Sequence, residues 1–523
     1  MGIPSYFSYI VKNHNNIIRK LNSYKMIITH FYLDSNSIIY DVIYNAKETP
    51  SDEYILQHVI HKIMEYIKEI SPTKLVYIAF DGVAPIAKLE QQRQRRYKSW
   101  YKNKIIENIY KSKEHTPNWD TSQITPGTKF MNELNIKLKL FFENEAIKQQ
   151  LNVDEIIVST SLEHGEGEHK IFHYIRNLQY DENYKHVIYG LDADLIMLSI
   201  NHLSFYPHIY LFRETPEFIK SIHSELEPNE TYLMNIPELT KAITLNMTNY
   251  SNDSSNKRIH DYIFLCLLLG NDFMPHFPSL NIRTSGIYTV LNAYKVTIGT
   301  KNKYLTDGTS IYWKNVFLLF EWLAVNEEEF FKQEYILRNK RERNYKNMLE
   351  TTEEDKIKKI DSIPMYDREI ENFINPEEDG WKNRYYISLF SSKYRPERIV
   401  LNYLEGLEWT MKYYTKECID WTWKYKYNYP PLLCDIVKYF RITKHISFKE
   451  NTSPIKEISQ LCYVLPKSSL YLLPNNLKNK LLKNSKLYPD NCEFIWAFCR
   501  YFWESHAILP KLDLKQIEEI IDE

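Results

Sequence analysis

The chain has 523 residues, and its 66 lysines and arginines against 67 aspartates and glutamates give a formal net charge of −1. Only 12 residues are glycine and 44 % are hydrophobic, which excludes collagen-like chains, glycine-rich linkers and global disorder. With so even a balance of charge, any attraction to nucleic acid must come from a local patch.

The six cysteines form no CxxC pair and no zinc-ligand spacing. No apolar run reaches the roughly 18 residues of a membrane span, and we expect a soluble, reduced, intracellular protein.

Short apolar runs alternate with longer helical stretches in the first 280 residues. The predicted strands cover 27–33, 75–80, 155–158, 186–190 and 208–212. This alternation predicts an α/β fold with a mainly parallel sheet, in which ligands bind at the carboxyl ends of the strands. Acidic residues follow four of the strands, namely Asp34, Asp81, the pair Asp192 and Asp194, and Glu214. We therefore expect an acidic rim along one edge of the sheet.

Changes of composition along the chain predict three units. Residues 1–248 form the α/β unit, and 249–360 form a connector with a polar loop at 249–257 and a charged run at 340–359. From 361 to 523 the chain is rich in aromatic residues and punctuated by proline, which predicts a mostly helical second lobe. The tail, 512–521, reads as a short amphipathic helix that closes this lobe.

Seven carboxylates stand beside glycines or at predicted strand ends. They are Asp34, Asp81, Glu166, Glu168, Asp192, Asp194 and Asp272. A single acid after a strand is ordinary turn or cap chemistry, but seven brought together repel each other unless cations neutralise them. Oxygen ligands at this density suit Mg²⁺ or Mn²⁺ rather than zinc, and two such ions support in-line phosphoryl displacement. The sequence carries no P-loop motif.

A basic segment follows Asp81. Residues 86–113 hold nine lysines and arginines against two acids, a local excess of seven positive charges. Within it, Lys88, Gln92, Arg95 and Arg96 share one face of the predicted helix. Guanidinium groups supply paired donors to phosphate, so this face is a candidate phosphate clamp. The alternative is a solvated charged helix face.

The chain resembles the Xrn family of 5′→3′ exoribonucleases through motifs in matching order and spacing from residue 1 nearly to the end. The motifs of the first half are Met1-Gly-Ile-Pro-Ser-Tyr-Phe7, Leu33-Asp-Ser-Asn36, Phe80-Asp-Gly-Val-Ala-Pro85, Ile124-Thr-Pro-Gly-Thr128, Gly165-Glu-Gly-Glu-His-Lys170, Gly190-Leu-Asp-Ala-Asp-Leu-Ile-Met197 and Gly270-Asn-Asp-Phe-Met-Pro-His276. Later blocks are Trp381-Lys-Asn-Arg-Tyr-Tyr386, Tyr403-Leu-Glu-Gly-Leu-Glu-Trp409 and Trp421-Thr-Trp423.

The resemblance implies a PIN/5′-nuclease-like fold whose second lobe packs on and encloses the active site. It implies that the seven carboxylates hold two Mg²⁺ ions, for which Mn²⁺ can substitute, and that Lys88, Gln92, Arg95 and Arg96 hold the 5′-monophosphate of single-stranded RNA. The implied reaction releases 5′-mononucleotides from the 5′ end, after a decapping enzyme or an endonuclease has exposed that end. We also expect a monomer in the cytoplasm (of the host, for a viral protein), with the nucleus as the alternative.

This sequence departs from the family pattern without losing a proposed metal ligand. Tyr40 stands where the family usually has a histidine that stacks on the terminal base, and a tyrosine ring can still stack. A second stacking aromatic is expected from the later lobe, where Trp409, Trp421 and Trp423 are candidates. We take Trp409 as the predicted contact, although each of the three could equally belong to the core. His169, between Glu168 and Lys170, could also touch the site.

Three other functions are alternatives to an exoribonuclease. A flap-type endonuclease would carry a glycine-rich helix–turn–helix clamp for duplex DNA, but 281–294 contains only Gly286. A phosphatase with an aspartate nucleophile would need its Asp-x-Asp near the N-terminus, whereas Asp192-Ala-Asp194 lies mid-chain. A non-catalytic RNA-binding protein of the same fold would be expected to lack some of the seven acids, and all are present.

Overall fold

A seven-stranded sheet forms the centre of the first half of the chain. The computed structural model describes residues 3, 5–24, 26–109, 119–247, 256–301, 303–390, 394–440 and 451–523. The sheet strands are β1 (Ile18–Arg19), β2 (His30–Asp34), β3 (Leu75–Ala79), β4 (Glu155–Ser159), β5 (His186–Tyr189), β6 (Ile209–Glu214) and β7 (Thr231–Asn235). Their order across the sheet is β1-β7-β6-β5-β2-β3-β4.

The predicted mainly parallel sheet is confirmed. Strands β6, β5, β2, β3 and β4 run parallel to one another, while β7 and β1 add antiparallel pairings at one edge. These last two strands were not predicted, because β1 has only two residues and the apolar run of β7 continues directly into a helix. Strand β2 begins three residues later than predicted, and Ile27 before it is 71 % exposed.

Helices cover both faces of this sheet. The helices before residue 313 are α1 (Tyr6–Asn13), α2 (Asn36–Tyr44), α3 (Asp52–Ile70), α4 (Ile86–Ile109), α5 (Lys129–Phe142), α6 (Glu145–Leu151), α7 (Gly167–Asn177), α8 (Asp194–His202), α9 (Ile236–Met247), α10 (Asn256–Leu267) and α11 (Gly286–Thr297). Alternate side chains of a strand point to opposite faces. Accordingly, Phe31 and Leu33 lie in one core cluster, and Tyr32 between them lies in the other.

The second half is mostly helical and rich in aromatic residues, as predicted. Its elements are α12 (Trp313–Lys346), α13 (Glu353–Asp361), α14 (Ile363–Tyr366), α15 (Glu369–Ile374), α16 (Trp381–Leu389), α17 (Pro396–Thr415), α18 (Leu433–Phe440), α19 (Glu457–Val464), α20 (Asn475–Lys483) and α21 (Leu514–Asp522), with a short antiparallel pair, β8 (Phe494–Ile495) and β9 (His506–Ala507). The charged run at 340–359 spans the end of α12 and most of α13. The tail helix predicted at 512–521 is α21, which buries Ile517 and Ile520.

One hydrophobic core runs through both halves. Its buried members range from Ile3 to Ile520 and include residues of the sheet, of α10 and of α17. The polar loop predicted at 249–257 lies mostly outside the described residues, so the three domain boundaries stay predictions. Among the described residues, no helix has both the length and the apolar character that crossing a membrane requires.

Candidate active site

Asp34 and Asp81 lie side by side at the carboxyl end of the sheet. Asp34 is the last residue of β2, and Asp81 comes two residues after β3, its parallel neighbour. The Asn36 side chain donates to Asp81 Oδ2 at 2.7 Å and accepts from the Asp81 backbone N–H at 3.1 Å. The Gly167 N–H donates to Asp81 Oδ1 at 2.7 Å. Both oxygens of Asp81 are therefore oriented by neighbouring groups.

Glu166 and Glu168 flank the first residue of α7, where the helix meets the two aspartates. A Cβ on Gly167 would lie 2.6 Å from Asp34 Oδ1 and 3.4 Å from Asp81 Oδ1. Glycine is therefore required for the helix to approach this closely. Glu166 and Glu168 are both buried. Carboxylates near a helix N-terminus are favoured by the helix dipole.

The remaining three acids come from two further loops. Asp192 lies between β5 and α8, and Asp194 is the first residue of that helix. Asp272 follows α10, in a turn where the Asn271 side chain accepts from the backbone N–H groups of Phe273 and Met274. Glu214, the other acid predicted at a strand end, instead contacts Tyr66 and Lys62.

The seven carboxyls influence one another electrostatically, as expected if they lie together. Burial raises the pKa of Asp34 well above its usual range, and Asp81 and Asp192 raise it further. Burial also raises the pKa of Glu168, with added contributions from Asp194 and Glu166. Burial and Asp272 raise the pKa of Asp194 to about 7. Carboxyl groups that lie this close together bind protons or cations, because either reduces the repulsion between them.

Lys88 lies among the acids. Its ammonium is 2.5 Å from Glu166 Oε2 and 2.8 Å from Asp272 Oδ2. Burial alone would raise the pKa of Asp272, but the Lys88 ammonium holds it well below its usual range. The structure therefore places the first residue of the predicted clamp in ion pairs with two carboxylates. Sequence spacing could not show this, because both partners are distant along the chain.

Arg95, Arg96 and Gln92 line the next turns of α4. Arg96 donates to Thr125 Oγ1 at 2.5 Å, and its Nη1 is buried without a hydrogen-bond partner among the described residues, as is Gln92 Oε1. Burial and the adjacent Arg95 lower the pKa of Arg96 to about 10. Two neighbouring guanidinium groups, one with a free donor, form a site for an anion.

Tyr40 lies beside the arginine pair. Burial would lower the pKa of Arg95, but Tyr40 and the nearby Asp272 raise it overall. The Tyr40 ring is half-buried and stacks on Tyr44, with centroids 6.4 Å apart and planes 20° apart. Tyr44 itself is 75 % exposed. The structure therefore places Tyr40 near Arg95 and Arg96, and its stacking on a base stays a prediction.

Trp409 does not reach the site, and its prediction as a base-stacking residue is wrong for this structure. The side chain is completely buried, and its indole N–H donates to the Asp420 carbonyl at 2.9 Å. The rings of Trp423 and Tyr413 stack on the Trp409 ring, with centroids 5.0 and 4.9 Å away. Trp421 contacts the start of α4: its carbonyl accepts from the Ile86 N–H, and its ring meets that of His164 edge-on.

Helix α17 contributes two tyrosines that sequence reasoning missed. The Tyr413 hydroxyl donates to Glu166 Oε1 at 2.7 Å, and Tyr414 faces Asp194. His169 stacks on Tyr413 with centroids 3.9 Å apart, and burial lowers the pKa of this histidine to about 3. The one available signal was position: both tyrosines follow the block that ends at Trp409.

The donor set fits divalent cations that prefer oxygen. Glu166, Glu168 and His169 offer ligand atoms that all lie within 4.8 Å of one another. Nε2 of His169 lies 3.9 Å from Oε1 of Glu168, which is too far for a hydrogen bond. Carboxylates dominate the surrounding residues, and such ligands suit Mg²⁺ or Mn²⁺.

A large cavity adjoins the acids and the clamp. Its volume is about 1800 Å³, and its lining includes Asp272 and Arg95 together with residues of the second lobe such as Lys424, Tyr425 and His506. The cavity has room for a polymer end beside the carboxylates.

Two family models match successive parts of the chain. The family model described as "XRN 5'-3' exonuclease N-terminus" matches residues 1–215, and the model described as "Xrn1 helical domain" matches residues 253–375 and 365–523.

Curated relatives match along nearly all of the chain. A protein of Drosophila melanogaster named "5'-3' exoribonuclease 2 homolog" is 27 % identical over 651 residues, which cover 99 % of this chain and 70 % of the relative. The "5'-3' exoribonuclease 2" of Arabidopsis thaliana is 25 % identical, covering 99 % and 67 %. The "5'-3' exoribonuclease 1" of Saccharomyces cerevisiae is 26 % identical, covering 99 % of this chain but 43 % of the relative.

Proposed function

The chain belongs to the Xrn family of 5′→3′ exoribonucleases, and from its acidic cluster beside an arginine pair we propose that it degrades single-stranded RNA with a 5′-monophosphate to 5′-mononucleotides. The reaction we propose is two-metal-ion hydrolysis of the phosphodiester nearest the 5′ end. The observation that carries the proposal is the buried Nη1 of Arg96, which has no partner among the described residues. It lies next to Arg95, which interacts electrostatically with Asp272, Asp192 and Asp81.

Seven carboxylates are proposed to hold two Mg²⁺ ions, with Mn²⁺ as a substitute. They are Asp34, Asp81, Glu166, Glu168, Asp192, Asp194 and Asp272. When bound, these ions supply activation of water and stabilisation of the charge that develops at the scissile phosphate. Burial and, after it, mutual repulsion raise the pKa values of Asp34, Glu168 and Asp194, and this supports the assignment.

The arginine pair is proposed to recognise the terminal phosphate. Arg95 and Arg96 supply guanidinium donors and Gln92 supplies an amide, so a dianionic monophosphate gains several charge-assisted hydrogen bonds. A 5′-hydroxyl end lacks these contacts, and a triphosphate brings more bulk and charge than two guanidinium groups accommodate. Lys88 neutralises Glu166 and Asp272 at the boundary between clamp and acids.

Tyr40 is proposed to stack on the terminal base, because its ring lies next to the clamp and a flat aromatic surface binds any base. The physiological setting we propose is a monomer that acts in the cytoplasm on RNA ends exposed by a decapping enzyme.

The test compares decay of one RNA carrying three different 5′ ends. With Mg²⁺ present, we expect the 5′-monophosphate RNA to be degraded to mononucleotides, while the 5′-triphosphate and 5′-hydroxyl forms resist. Asp194→Ala is expected to abolish decay. Equal decay of all three ends would contradict the proposal. Internal cuts as first products would instead favour a flap-type endonuclease, and tight RNA binding without decay would favour a non-catalytic protein.

The clamp is tested by removing both guanidinium groups. We expect Arg95→Ala with Arg96→Ala to lose the preference for the monophosphate end, because no paired donors remain there. Lys104→Ala removes one exposed charge from the same helix and serves as the matched control. The clamp assignment would be wrong if the double variant kept full discrimination between 5′ ends.

A further inference from the structure

A tyrosine hydroxyl of the second lobe makes a hydrogen bond inside the acidic cluster. Tyr413 lies near the end of α17, and its hydroxyl donates to Glu166 Oε1 at 2.7 Å across a separation of 247 residues. The tyrosine is 4 % exposed and Glu166 is 3 % exposed. A hydrogen bond to a carboxylate in so dry a place is stronger than the same contact in water.

Packing fixes the position of this hydroxyl. The Tyr413 ring stacks on His169 at 3.9 Å and on Trp409 at 4.9 Å, while Phe273 meets it edge-on at 5.4 Å. Three rings therefore hold the phenol from different directions. Burial and the nearby Glu166 raise the pKa of Tyr413 well above its usual range, so the hydroxyl keeps its proton and stays a donor.

The two oxygens of Glu166 have different partners. Tyr413 occupies Oε1, and the Lys88 ammonium lies 2.5 Å from Oε2. Lys88 also contacts Asp272, so a cation that enters the cluster competes with it for both carboxylates. Tyr413 carries no charge and contacts Oε1, whereas Lys88 contacts Oε2. Tyr413 can therefore keep its hydrogen bond to Glu166 while a cation binds. This difference singles out Tyr413 as the group that orients Glu166.

We propose that Tyr413 is a positioning residue that holds Glu166 in the orientation needed to bind a divalent cation, so that the helical lobe completes the metal site of the sheet. The inference rests on the proposed function for the role of the acids. Hydrogen-bond partners of a ligating carboxylate commonly change metal affinity roughly 10- to 100-fold when they are removed. Trp409, which was predicted to contact RNA, then has the role of packing against this tyrosine.

The matched pair of variants is Tyr413→Phe and Tyr403→Phe. Each removes one buried hydroxyl from α17, and the Tyr403 hydroxyl has no hydrogen-bond partner among the described residues. Mn²⁺ binding to the full-length protein without RNA is measured by electron paramagnetic resonance of the free ion. We expect the Kd of Tyr413→Phe to rise about tenfold and that of Tyr403→Phe to stay within twofold of wild type.

Thermal unfolding in EDTA separates positioning from folding. Without metal, Tyr413→Phe is expected to unfold at the lower temperature, because of the two variants it is the one that loses a buried hydrogen bond. Mn²⁺ should then raise the unfolding temperature of Tyr413→Phe by less than it raises that of Tyr403→Phe. RNA decay by wild type is measured in parallel, so failure of the exonuclease assay is seen independently of metal binding. A wild-type Kd for Mn²⁺ in Tyr413→Phe overturns the inference, whatever the result with RNA.

Discussion

Asp81 depends on Asn36 for its orientation. Asn36→Ala would leave Asp81 Oδ2 without its 2.7 Å donor and the Asp81 N–H without its acceptor. We expect the single-turnover rate of RNA decay to fall roughly 10- to 100-fold, as for other partners of metal ligands. Asn45→Ala, at the far end of the same helix, removes an exposed amide that donates to Asp41 and is the control. Equal rates for the two variants would contradict the role of Asn36.

Asp194 makes the metal-free protein sensitive to pH. Its pKa is raised from 3.8 to about 7 by burial and by Asp272. Because the folded state then binds this proton more tightly than the unfolded chain, its contribution to stability is present below pH 4 and is lost as the pH rises through 7. Asp194→Asn removes this titration. We expect it to stabilise the EDTA-treated protein increasingly from pH 5 to pH 8, by at most about 4 kcal/mol.

Urea unfolding at several pH values measures this difference. Asp154→Asn removes an exposed carboxylate and controls for the loss of one charge. A stability gap between wild type and Asp194→Asn that stays constant from pH 5 to pH 8 would show that Asp194 does not titrate in this range.

Sequence motifs predicted the acids and the arginines but not their partners. Asp34 and Asp81 meet because they end adjacent parallel strands, and this follows from the pattern of strands and helices. The contact of Lys88 with Asp272 spans 184 residues, and that of Tyr413 with Glu166 spans 247. No local pattern encodes such pairs. Trp409 shows the converse, because an aromatic residue in a motif can belong to the core as easily as to the site.

Glu327 links the long helix α12 to α18, a helix of the second lobe. This buried residue of α12 accepts from the N–H groups of Leu433 at 2.7 Å and Cys434 at 3.1 Å, at the start of α18. Burial raises its pKa to about 7 despite these donors. Glu327→Ala leaves two buried N–H groups unpaired, and we expect the free energy of unfolding to fall by about 3 kcal/mol. Glu327→Gln keeps one acceptor oxygen and should cost about 1 kcal/mol.

Denaturant unfolding at pH 7 checks the ranking of these variants. The neighbouring Glu328→Ala removes an exposed ion pair with Lys332 and an interaction with Trp381, and it should change stability by less than about 0.5 kcal/mol. If the alanine variant at 327 were as stable as the glutamine variant, the capping role of Glu327 would be refuted.

Elements with strong periodicity were predictable, and short or mixed ones were not. The basic segment after Asp81 forms α4, and the amphipathic tail forms α21. Strand β1 was missed because two residues carry no pattern, and its pairing with β7 is set by tertiary contacts. The long helix α12 extends into the charged run that begins at Lys340, since its inner face buries residues such as Arg338 rather than an apolar stripe alone.

Helix α4 connects the two lobes. One face carries the clamp residues, while other positions are held by the second lobe: Glu90 contacts Lys424 and Tyr463, each at 2.6 Å. Gln94 exchanges two hydrogen bonds with the backbone of Ala507 at 3.0 and 2.8 Å. The position of the clamp relative to the acids therefore depends on the second lobe as well as on the sheet.

This shared core predicts that cation binding at the sheet stabilises the helical lobe too. The main core cluster includes both sheet residues and α17, and Tyr413 connects that helix to Glu166. At a Mg²⁺ concentration of about 100 times Kd, a ligand that binds only the folded state adds about 2.7 kcal/mol to the free energy of unfolding.

Hydrogen exchange followed by mass spectrometry measures this effect. We expect the exchange rates of the slowest amides of β3 and of α17 to fall by a similar factor, about 100-fold. Helix α6, which buries none of its side chains, should exchange by local opening and change little. Protection confined to peptides of the sheet would mean that the two lobes unfold independently, and the second lobe could then not hold the metal site in the way that the contacts of Tyr413 and α4 require.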